Sequence, residues 1–275
     1  MNDYLKIKKL IDDADAIVLG AGAGLSTSAG INYGEGNFKE NFPELYKNYG
    51  MTDMYTSSFY NFNTEEERWS YWSKHINYLY NTNAKDVYLK LFSLVKDKNY
   101  FVITTNVDGQ FLKAGFDRKK VFEVQGSLSK MQCSTGCHNK LYDDLEMVSK
   151  MLKYKDDIRV PTNLVPYCPA CGGKMEVNLR KDAFFVEDDS WKDLNKSYEK
   201  FLNENKNKRL VLIELGAGFN TPGIIRFPFE QLTYNLDDIT LIRINDKYFD
   251  VPFEIKDKTI TVNEDCSLAV SKIID

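Results

Sequence analysis

The sequence has no dense block of lysine and arginine, no apolar run long enough to cross a bilayer, and no internal repeat. Its formal net charge of −4 excludes the basic footprint typical of nucleic-acid-binding proteins. The first apolar run covers only residues 16–19 and leads into glycines, so it does not span a membrane. The start of the sequence also lacks a signal-peptide pattern. We therefore expect a cytoplasmic protein that binds neither nucleic acid nor membrane.

The composition excludes a disordered chain and is that of a folded protein. Hydrophobic residues make up 43% of the 275 positions, and charged residues make up 28%. This length fits one large domain, or one domain that carries a sizeable insertion. The five cysteines are expected to stay reduced in the cytoplasm, where disulfides are rare.

A glycine-rich loop follows the first apolar run. The apolar run over residues 16–19 is short and contains β-branched side chains, which predicts a buried parallel strand. Gly20, Gly22 and Gly24 come next, before a stretch that is able to turn helical. This order builds a cradle for nucleotide phosphates, because glycines let a phosphate approach the backbone. Leu25 replaces the third glycine of the common dinucleotide fingerprint, so the loop alone is equally consistent with a plain tight turn.

Three further apolar runs also end in polar or glycine-rich sequence. Residues 101–105, 210–215 and 240–244 are predicted to be buried strands. The carboxyl ends of parallel strands meet at one edge of a sheet, where α/β proteins bind ligands. For Asn106 and Asp108 the alternative is an Asx turn that simply ends the strand. The candidate ligand-binding residues after these runs are Asn106, Asp108, Gly216, Ala217, Gly218, Asn220, Asn245 and Asp246.

Two close pairs of cysteines predict a metal site. Cys133 and Cys137 form the first pair, and Cys168 and Cys171 form the second after 30 intervening residues. Each pair supplies two thiolates on a tight turn, and two pairs give the four ligands of a tetrahedral Zn²⁺. With all four positions filled, the zinc would be structural and would have no open position for chemistry. His138 is an alternative ligand because it follows Cys137 directly, although the geometry favours four sulfurs.

Apolar residues at helical spacing predict helices over 3–13, 64–80 and 85–96, and another from about residue 191. Thr64 and Glu67 are expected to form a capping box, and the tryptophans that follow them are expected in the core. Residues 32–38 are broken by glycines and are expected to be irregular. A further helix is expected to have Pro222 in its first position.

Several of these segments together resemble the sirtuin family. Residues 24–31, Gly-Leu-Ser-Thr-Ser-Ala-Gly-Ile, resemble the sirtuin nucleotide loop. Residues 105–108, Thr-Asn-Val-Asp, are similar to the sirtuin motif Gln-Asn-x-Asp, and Glu264-Asp265-Cys266 resembles the turn beneath the adenine. The cysteine pairs stand where sirtuins carry an inserted zinc ribbon. The resemblance covers nearly the whole chain.

The resemblance implies an α/β fold, with a Rossmann-like parallel-sheet domain and a smaller zinc-ribbon plus helical insertion domain. The Rossmann-like, NAD-binding domain would comprise residues 1–32, 85–126 and 178–275. A helical insertion would occupy residues 33–84, and the zinc-ribbon insertion would occupy residues 127–177. The implied cofactors are NAD and zinc.

The implied NAD site draws on the ends of the predicted strands. Asn106, Asp108 and Gln125 are the implied catalytic residues. Asn106 and Asp108 would position the nicotinamide, the ribose and a water, and Gln125 would orient the ribose. The implied cofactor-binding residues are Gly20, Ala21, Gly22, Leu25, Ser26, Asn106, Asp108, Gln125, Gly216, Ala217, Gly218, Asn220, Asn245, Asp246 and Cys266.

Within the family, the chain most resembles the macrodomain-linked bacterial branch, through residues 52–55, 178–180 and 185–188 among others. Members of that branch are NAD-dependent protein ADP-ribosyltransferases that act on a lipoylated carrier similar to the glycine-cleavage H protein. They carry Gln where the deacylases carry the catalytic His, and here that position is Gln125. A carboxamide has no basic site near pH 7, so it orients a ribose but does not accept a proton as imidazole does.

The resemblance therefore favours an ADP-ribosyltransferase that releases nicotinamide. The alternatives are an NAD-dependent deacylase, an NAD glycohydrolase, and a silent NAD-binding module. The silent module is an alternative because the chain lacks the catalytic His and the Arg of the Pro-Asp-Phe-Arg segment of most sirtuins. We also expect Gly22→Val to abolish NAD binding and to leave the fold intact, since the branched side chain would occupy the approach of the phosphates.

Overall fold

A computed structural model describes residues 3–154 and 158–274. Its helices are α1 (Asp3–Asp13), α2 (Ala23–Ser28), α3 (Glu35–Asn41), α4 (Pro43–Tyr49), α5 (Met54–Ser57), α6 (Glu65–Tyr80), α7 (Asp86–Val95), α8 (Gln110–Lys113), α9 (Leu145–Met151), α10 (Asp189–Asn205), α11 (Arg226–Asn235) and α12 (Cys266–Ile274). Its strands are β1 (Ala16–Ala21), β2 (Tyr100–Thr104), β3 (Val121–Glu123), β4 (Gly126–Cys133), β5 (Tyr142–Asp143), β6 (Met175–Leu179), β7 (Leu210–Leu215), β8 (Ile239–Ile244) and β9 (Thr259–Val262). Short 3₁₀ helices cover Arg118–Lys120, Thr162–Leu164 and Phe253–Lys258. Within the described ranges, no helix combines the length and apolar character that a bilayer span requires.

The chain forms two compact units. The first comprises Met1–Gly30, Ala84–Gln125 and Ser190–Asp275, and the second comprises Ile31–Asn83 and Gly126–Asp189. The division predicted at residue 178 falls inside β6, which pairs with β4. The second unit therefore continues beyond this strand.

The first unit contains a six-stranded sheet in the order β3-β2-β1-β7-β8-β9, and every neighbouring pair is parallel. β1 lies inside the sheet, with Ile17 paired to Tyr100 on one side and to Val211 on the other. All residues of β1 are buried, as the short apolar run predicts. The predicted Rossmann-like sheet is confirmed, and the carboxyl ends of its strands lie at one edge.

Successive side chains of β1 point to opposite faces of the sheet. Ile17 and Leu19 join the core on one face, to which α1, α7 and α12 contribute. Ala16 and Val18 join the core on the other face, to which α10 and α11 contribute. Helices therefore cover both faces, which explains why the strands have continuous apolar runs instead of alternating sequences.

The second unit combines a three-stranded antiparallel sheet, in the order β5-β4-β6, with α6 and several shorter helices. The Thr64 hydroxyl oxygen accepts a hydrogen bond from the Glu67 amide at 3.2 Å and caps α6. The Glu67 carboxylate instead accepts a hydrogen bond from Arg159 at 2.9 Å, so only half of the predicted capping box forms. Trp69 and Trp72 are buried, which confirms their prediction as core residues.

Two segments differ from the sequence prediction. Residues 35–41 form α3 and are not irregular, because Gly34 adopts an extended N-cap conformation and Phe38 anchors the helix in the core. The helix expected to start with Pro222 begins only at Arg226, after a turn over residues 222–225. Ile225 has the non-helical angles φ −123° and ψ −60°, which delay the start of α11.

Candidate functional site

Loops at the carboxyl edge of the parallel sheet line a cavity of about 300 Å³ in the first unit. The predicted site residues in its lining are Gly22, Gly216, Ala217, Gly218, Asn220, Asn245, Asp246 and Cys266. Lining residues that were not among the predicted site residues are Ala23, Gly24, Thr27, Ser28, Thr105, Phe219, Thr221, Ile225, Lys247, Tyr248 and Asp265. Nearly all of them stand within a few positions of a predicted residue. Counting the loop after each strand, together with the short helix α2 that follows β1, would have found them.

Close backbone packing explains the glycines of this cavity. The Gly24 amide donates to the Gly216 carbonyl at 2.9 Å, and Gly216 has a left-handed φ of +61°. A Cβ atom on Gly22 would lie 2.7 Å from the Ala217 Cα and 2.8 Å from the Gly216 carbonyl oxygen. The expectation that Gly22→Val would leave the fold intact is therefore wrong, because the two loops would have to separate.

Asn106 and Asp108 connect the loop after β2 to the glycine loop after β1. The Asn106 side-chain amide donates to the Gly22 carbonyl at 3.0 Å. The Ser26 hydroxyl donates to Asp108 Oδ2 at 2.6 Å, and the Tyr88 hydroxyl lies 3.2 Å from the same Ser26 oxygen. Burial raises the pKa of Asp108, and the hydrogen bond from Ser26 opposes this rise. This buried polar network adjoins the cavity through Gly22, which belongs to both.

Gly20, Ala21 and Leu25 do not line the cavity in the described part of the chain. Gly20 and Ala21 lie within β1, and Leu25 is fully buried in the core. A Cβ atom on Gly20 would lie 2.6 Å from the ring of Phe229, so close packing against α11 accounts for glycine at this position. Gln125 is partly exposed in the turn after β3, at the same edge of the sheet as the other strand ends.

Asn245 organises the loop after β8. Its side-chain amide donates to the Ala217 carbonyl at 2.9 Å, which ties this loop to the loop after β7. Its Oδ1 accepts hydrogen bonds from the amides of Lys247 and Tyr248 at 3.0 and 2.9 Å. Burial raises the pKa of the nearby cavity residue Cys266 to about 12, so its thiol stays protonated at neutral pH.

The four predicted metal ligands come together in the second unit. The Sγ atoms of Cys133, Cys137, Cys168 and Cys171 all lie within 4.8 Å of one another. The Cys133 and Cys171 sulfurs are 3.7 Å apart, and those of Cys137 and Cys168 are 3.6 Å apart. A tetrahedron with Zn–S bonds of about 2.3 Å has edges of about 3.8 Å. The cluster therefore has the size that a tetrahedral zinc requires.

Glycine turns shape both cysteine pairs. Gly136 and Gly172 adopt left-handed φ values of +58° and +71°. The Gly172 amide donates to the Cys168 carbonyl at 2.8 Å, which closes the turn of the second pair. His138 Nδ1 lies 3.0 Å from the Cys137 sulfur, and its Nε2 lies 2.9 Å from the Tyr142 hydroxyl. His138 thus adjoins the four sulfurs and does not take the place of one.

A family model identifies the chain. Residues 22–217 match the Sir2 family. The chain belongs to the Sir2 family. The matched segment of this Sir2-family chain extends from the glycine loop after β1 to the loop after β7, and it includes the four clustered cysteines.

Similar proteins agree with this assignment. The chain is 35% identical over 268 residues to a "Protein ADP-ribosyltransferase" of Staphylococcus aureus strain Mu50, covering 96% of this chain and 85% of that relative. It is 32% identical over 254 residues to a "Probable bifunctional ADP-ribose hydrolase/ADP-ribosyltransferase" of Fusarium oxysporum f. sp. cubense, covering 86% of this chain but 41% of that relative. A solved structure of a Sir2 homologue in complex with NAD has a TM-score of 0.61 at 16% identity, over 98% of this chain and 91% of that one. This last likeness shows the fold.

Both histidines of this Sir2-family chain belong to the second unit and are engaged there. His75 lies stacked on Trp72, with ring centroids 5.5 Å apart, and its Nδ1 is 3.0 Å from the Tyr71 hydroxyl. Burial lowers the pKa of His75 to about 3, so it stays neutral at physiological pH. His138 contacts the cysteine cluster. Both imidazoles thus pack against other residues of the second unit.

Proposed function

We propose that this Sir2-family protein is an NAD-dependent protein ADP-ribosyltransferase, which transfers ADP-ribose from NAD to a protein acceptor and releases nicotinamide. The observation that carries this proposal is that both imidazoles are engaged in the second unit, while Gln125 offers only a neutral carboxamide after β3. The 35% identity to a relative named as a protein ADP-ribosyltransferase, over nearly the whole chain, supports it.

NAD is the substrate that we assign to the cavity of the first unit. Gly22, Gly24 and Gly216 line this cavity, and we assign the pyrophosphate to the backbone that these residues present there. Asn245 and Asp246, with the buried Cys266, belong to the adenosine end. In this proposal, the reacting ribose and the nicotinamide face Asn106, Asp108 and Gln125.

The reaction begins when the bond between the ribose C1′ and the nicotinamide nitrogen breaks. The electron pair of this bond leaves with nicotinamide, and positive charge develops on the ribose. Asp108, which accepts a hydrogen bond from Ser26 at 2.6 Å, is oriented to stabilise that charge as a carboxylate. Asn106 is held by its bond to the Gly22 carbonyl and positions the ribose. The acceptor nucleophile then bonds to C1′ and gives up its proton to water.

Gln125 decides between transfer and deacylation. Deacylation needs a base that takes a proton from a ribose hydroxyl, and such assistance is typically worth about 10²–10⁴ in rate. A carboxamide donates and accepts hydrogen bonds but does not titrate near neutral pH. Gln125 therefore orients the ribose, which suffices for direct transfer to another nucleophile.

We propose a lipoylated carrier protein, similar to the glycine-cleavage H protein, as the acceptor. The support for this choice is the resemblance to the macrodomain-linked branch. The proposed zinc stabilises the second unit and takes no part in the reaction, because four thiolates would fill its coordination sphere.

Replacement of Gln125 tests the orienting role. Gln125→Ala is expected to slow nicotinamide release about 10-fold, the loss of roughly one hydrogen bond to substrate. Between pH 6 and 8, we expect position 125 to add no pH dependence to the rate of nicotinamide release, in the wild-type protein or in Gln125→Ala, because neither side chain titrates there. Nicotinamide release is measured by chromatography across that range.

The matched control is Gln231→Ala, which removes the same side chain from the exposed surface of α11 and should leave the rate unchanged. An unchanged rate in Gln125→Ala would contradict the orienting role. A wild-type rate that changes with pH, with a midpoint near the usual pKa of imidazole, would also contradict it if this pH dependence were absent from Gln125→Ala.

A further inference from the structure

Two aromatic side chains of the cavity are about half exposed. Phe219 is 53% exposed and Tyr248 is 45% exposed, and both line the cavity. Their ring centroids lie 5.3 Å apart with the planes at 89°, so they form an edge-to-face pair. Core packing does not account for this pair, because large parts of both rings face solvent. The rings therefore offer apolar surface to a ligand in the cavity.

Arg226 holds both aromatic residues. Its Nη1 donates to the Tyr248 carbonyl at 2.8 Å, and its Nη2 donates to the Asp250 carbonyl at 2.7 Å. Its guanidinium carbon lies 4.5 Å from the centroid of the Phe219 ring, which is a cation–π distance. One buried side chain thus connects the loop after β7, which carries Phe219, to the loop after β8, which carries Tyr248.

Buried charges hold Arg226 in turn. Arg226 lies between Glu214 and Glu230, at 3.7 and 3.6 Å from their carboxylates. Arg243 Nη2 lies 2.8 Å from both of these carboxylates, and its Nη1 donates to the Asp250 carbonyl at 2.6 Å. Because these guanidinium and carboxylate groups already pair with one another, Arg226 is held in place before a ligand binds. The two aromatic residues that Arg226 contacts are therefore supported in advance.

We propose that Tyr248 stacks on the adenine ring of the dinucleotide while Phe219 packs edge-to-face against Tyr248, and that Arg226 is the positioning residue for this aromatic pair. The inference rests on the proposed function, because it concerns the adenosine half of NAD. The same cavity contains the glycine loops and the two rings, and a nucleotide needs both a phosphate cradle and a flat apolar surface for its base. Gly218 lies beside the pair, because a Cβ atom there would be in van der Waals contact with the Tyr248 ring at 3.5 Å.

Removal of the Tyr248 ring tests the stacking. Tyr248→Leu is expected to weaken ADP-ribose binding about 10-fold, as base–aromatic stacking is lost. Nicotinamide mononucleotide, which has no adenine, should bind with an unchanged Kd, and Tyr248→Phe should retain the wild-type Kd for ADP-ribose. Tyr234→Leu is the matched control, because Tyr234 is an exposed tyrosine on α11 that does not line this cavity. Isothermal titration calorimetry gives all of these values.

A double-mutant cycle tests the positioning role of Arg226. Arg226→Lys keeps a positive charge beside Glu214 but loses the planar pair of donors. The KM for NAD should rise about 10-fold with kcat unchanged, since the adenine is remote from the bond that breaks. Arg226→Lys combined with Tyr248→Leu should bind ADP-ribose no more weakly than Tyr248→Leu alone, because both changes act through the same ring.

The outcomes separate this inference from the proposed function. Equal affinity of wild-type protein and Tyr248→Leu for ADP-ribose, with NAD turnover intact in both, would overturn the stacking and leave the proposed function standing. Multiplicative effects of the two changes in the cycle would overturn the role of Arg226. Wild-type protein that binds neither NAD nor ADP-ribose would overturn the stacking and the proposed function together.

Discussion

Asp108→Asn is expected to slow NAD turnover about 100- to 1000-fold, because the ribose cation then lacks its fixed negative charge. Asp108 is buried and accepts the Ser26 hydroxyl at 2.6 Å, so it is held in place before the substrate binds. Preorganised charges of this kind act strongly because little water screens them. The substitution keeps the size of the side chain, and the fold should survive it.

The loss should appear in kcat, while the Kd for ADP-ribose should stay within about 2-fold of the wild-type value, since ADP-ribose carries no developing charge. Asp97→Asn provides the matched control, because Asp97 is exposed in a turn of the first unit. Turnover of Asp108→Asn within a few-fold of wild type would remove this residue from the mechanism.

Cys168→Ser is expected to reduce bound zinc from about one ion per chain to nearly none and to unfold the second unit. The four sulfurs have the spacing of a zinc tetrahedron, and the two pairs come from separate turns of the chain. A metal that joins such turns contributes its binding free energy directly to folding. Elemental analysis and the near-ultraviolet circular dichroism of the buried Trp69 and Trp72 would report the two losses.

Cys266→Ser is the control for metal content, because Cys266 lies in the cavity of the first unit and not among the clustered sulfurs. It should keep the full zinc content. Wild-type protein that is fully folded without metal would contradict the account, and so would a Cys168→Ser variant that retains one zinc per chain.

The features that sequence reasoning predicted are those with a local signal. The buried run of β1 and the close cysteine pairs are short patterns whose physical requirement lies within a few residues. The parallel sheet was predicted from several such apolar runs, each of which leads into glycine or polar residues. Gln125, Asn106 and Asp108 stay predictions as functional residues, and the kinetic tests above decide their roles.

The features that sequence reasoning missed depend on contacts between residues that are distant in the chain. Glu214 and Arg243 pair across the β7–β8 register, and no pattern near either residue indicates that both are fully buried. Glu67 was expected to complete a cap, but Arg159 takes its carboxylate. Residues 35–41 become helical because Phe38 finds a place in the core, a tertiary effect that outweighs the glycines.

The most direct measurement of the central claim follows an ADP-ribose label in one reaction. Wild-type protein is incubated with NAD labelled in its adenosine half, a lipoylated carrier similar to the glycine-cleavage H protein, and an acetyl-lysine peptide. We expect the label on the carrier, one nicotinamide released for each group transferred, and no O-acetyl-ADP-ribose. Deacetylated peptide with O-acetyl-ADP-ribose as the main labelled product, or NAD left intact, would contradict the account.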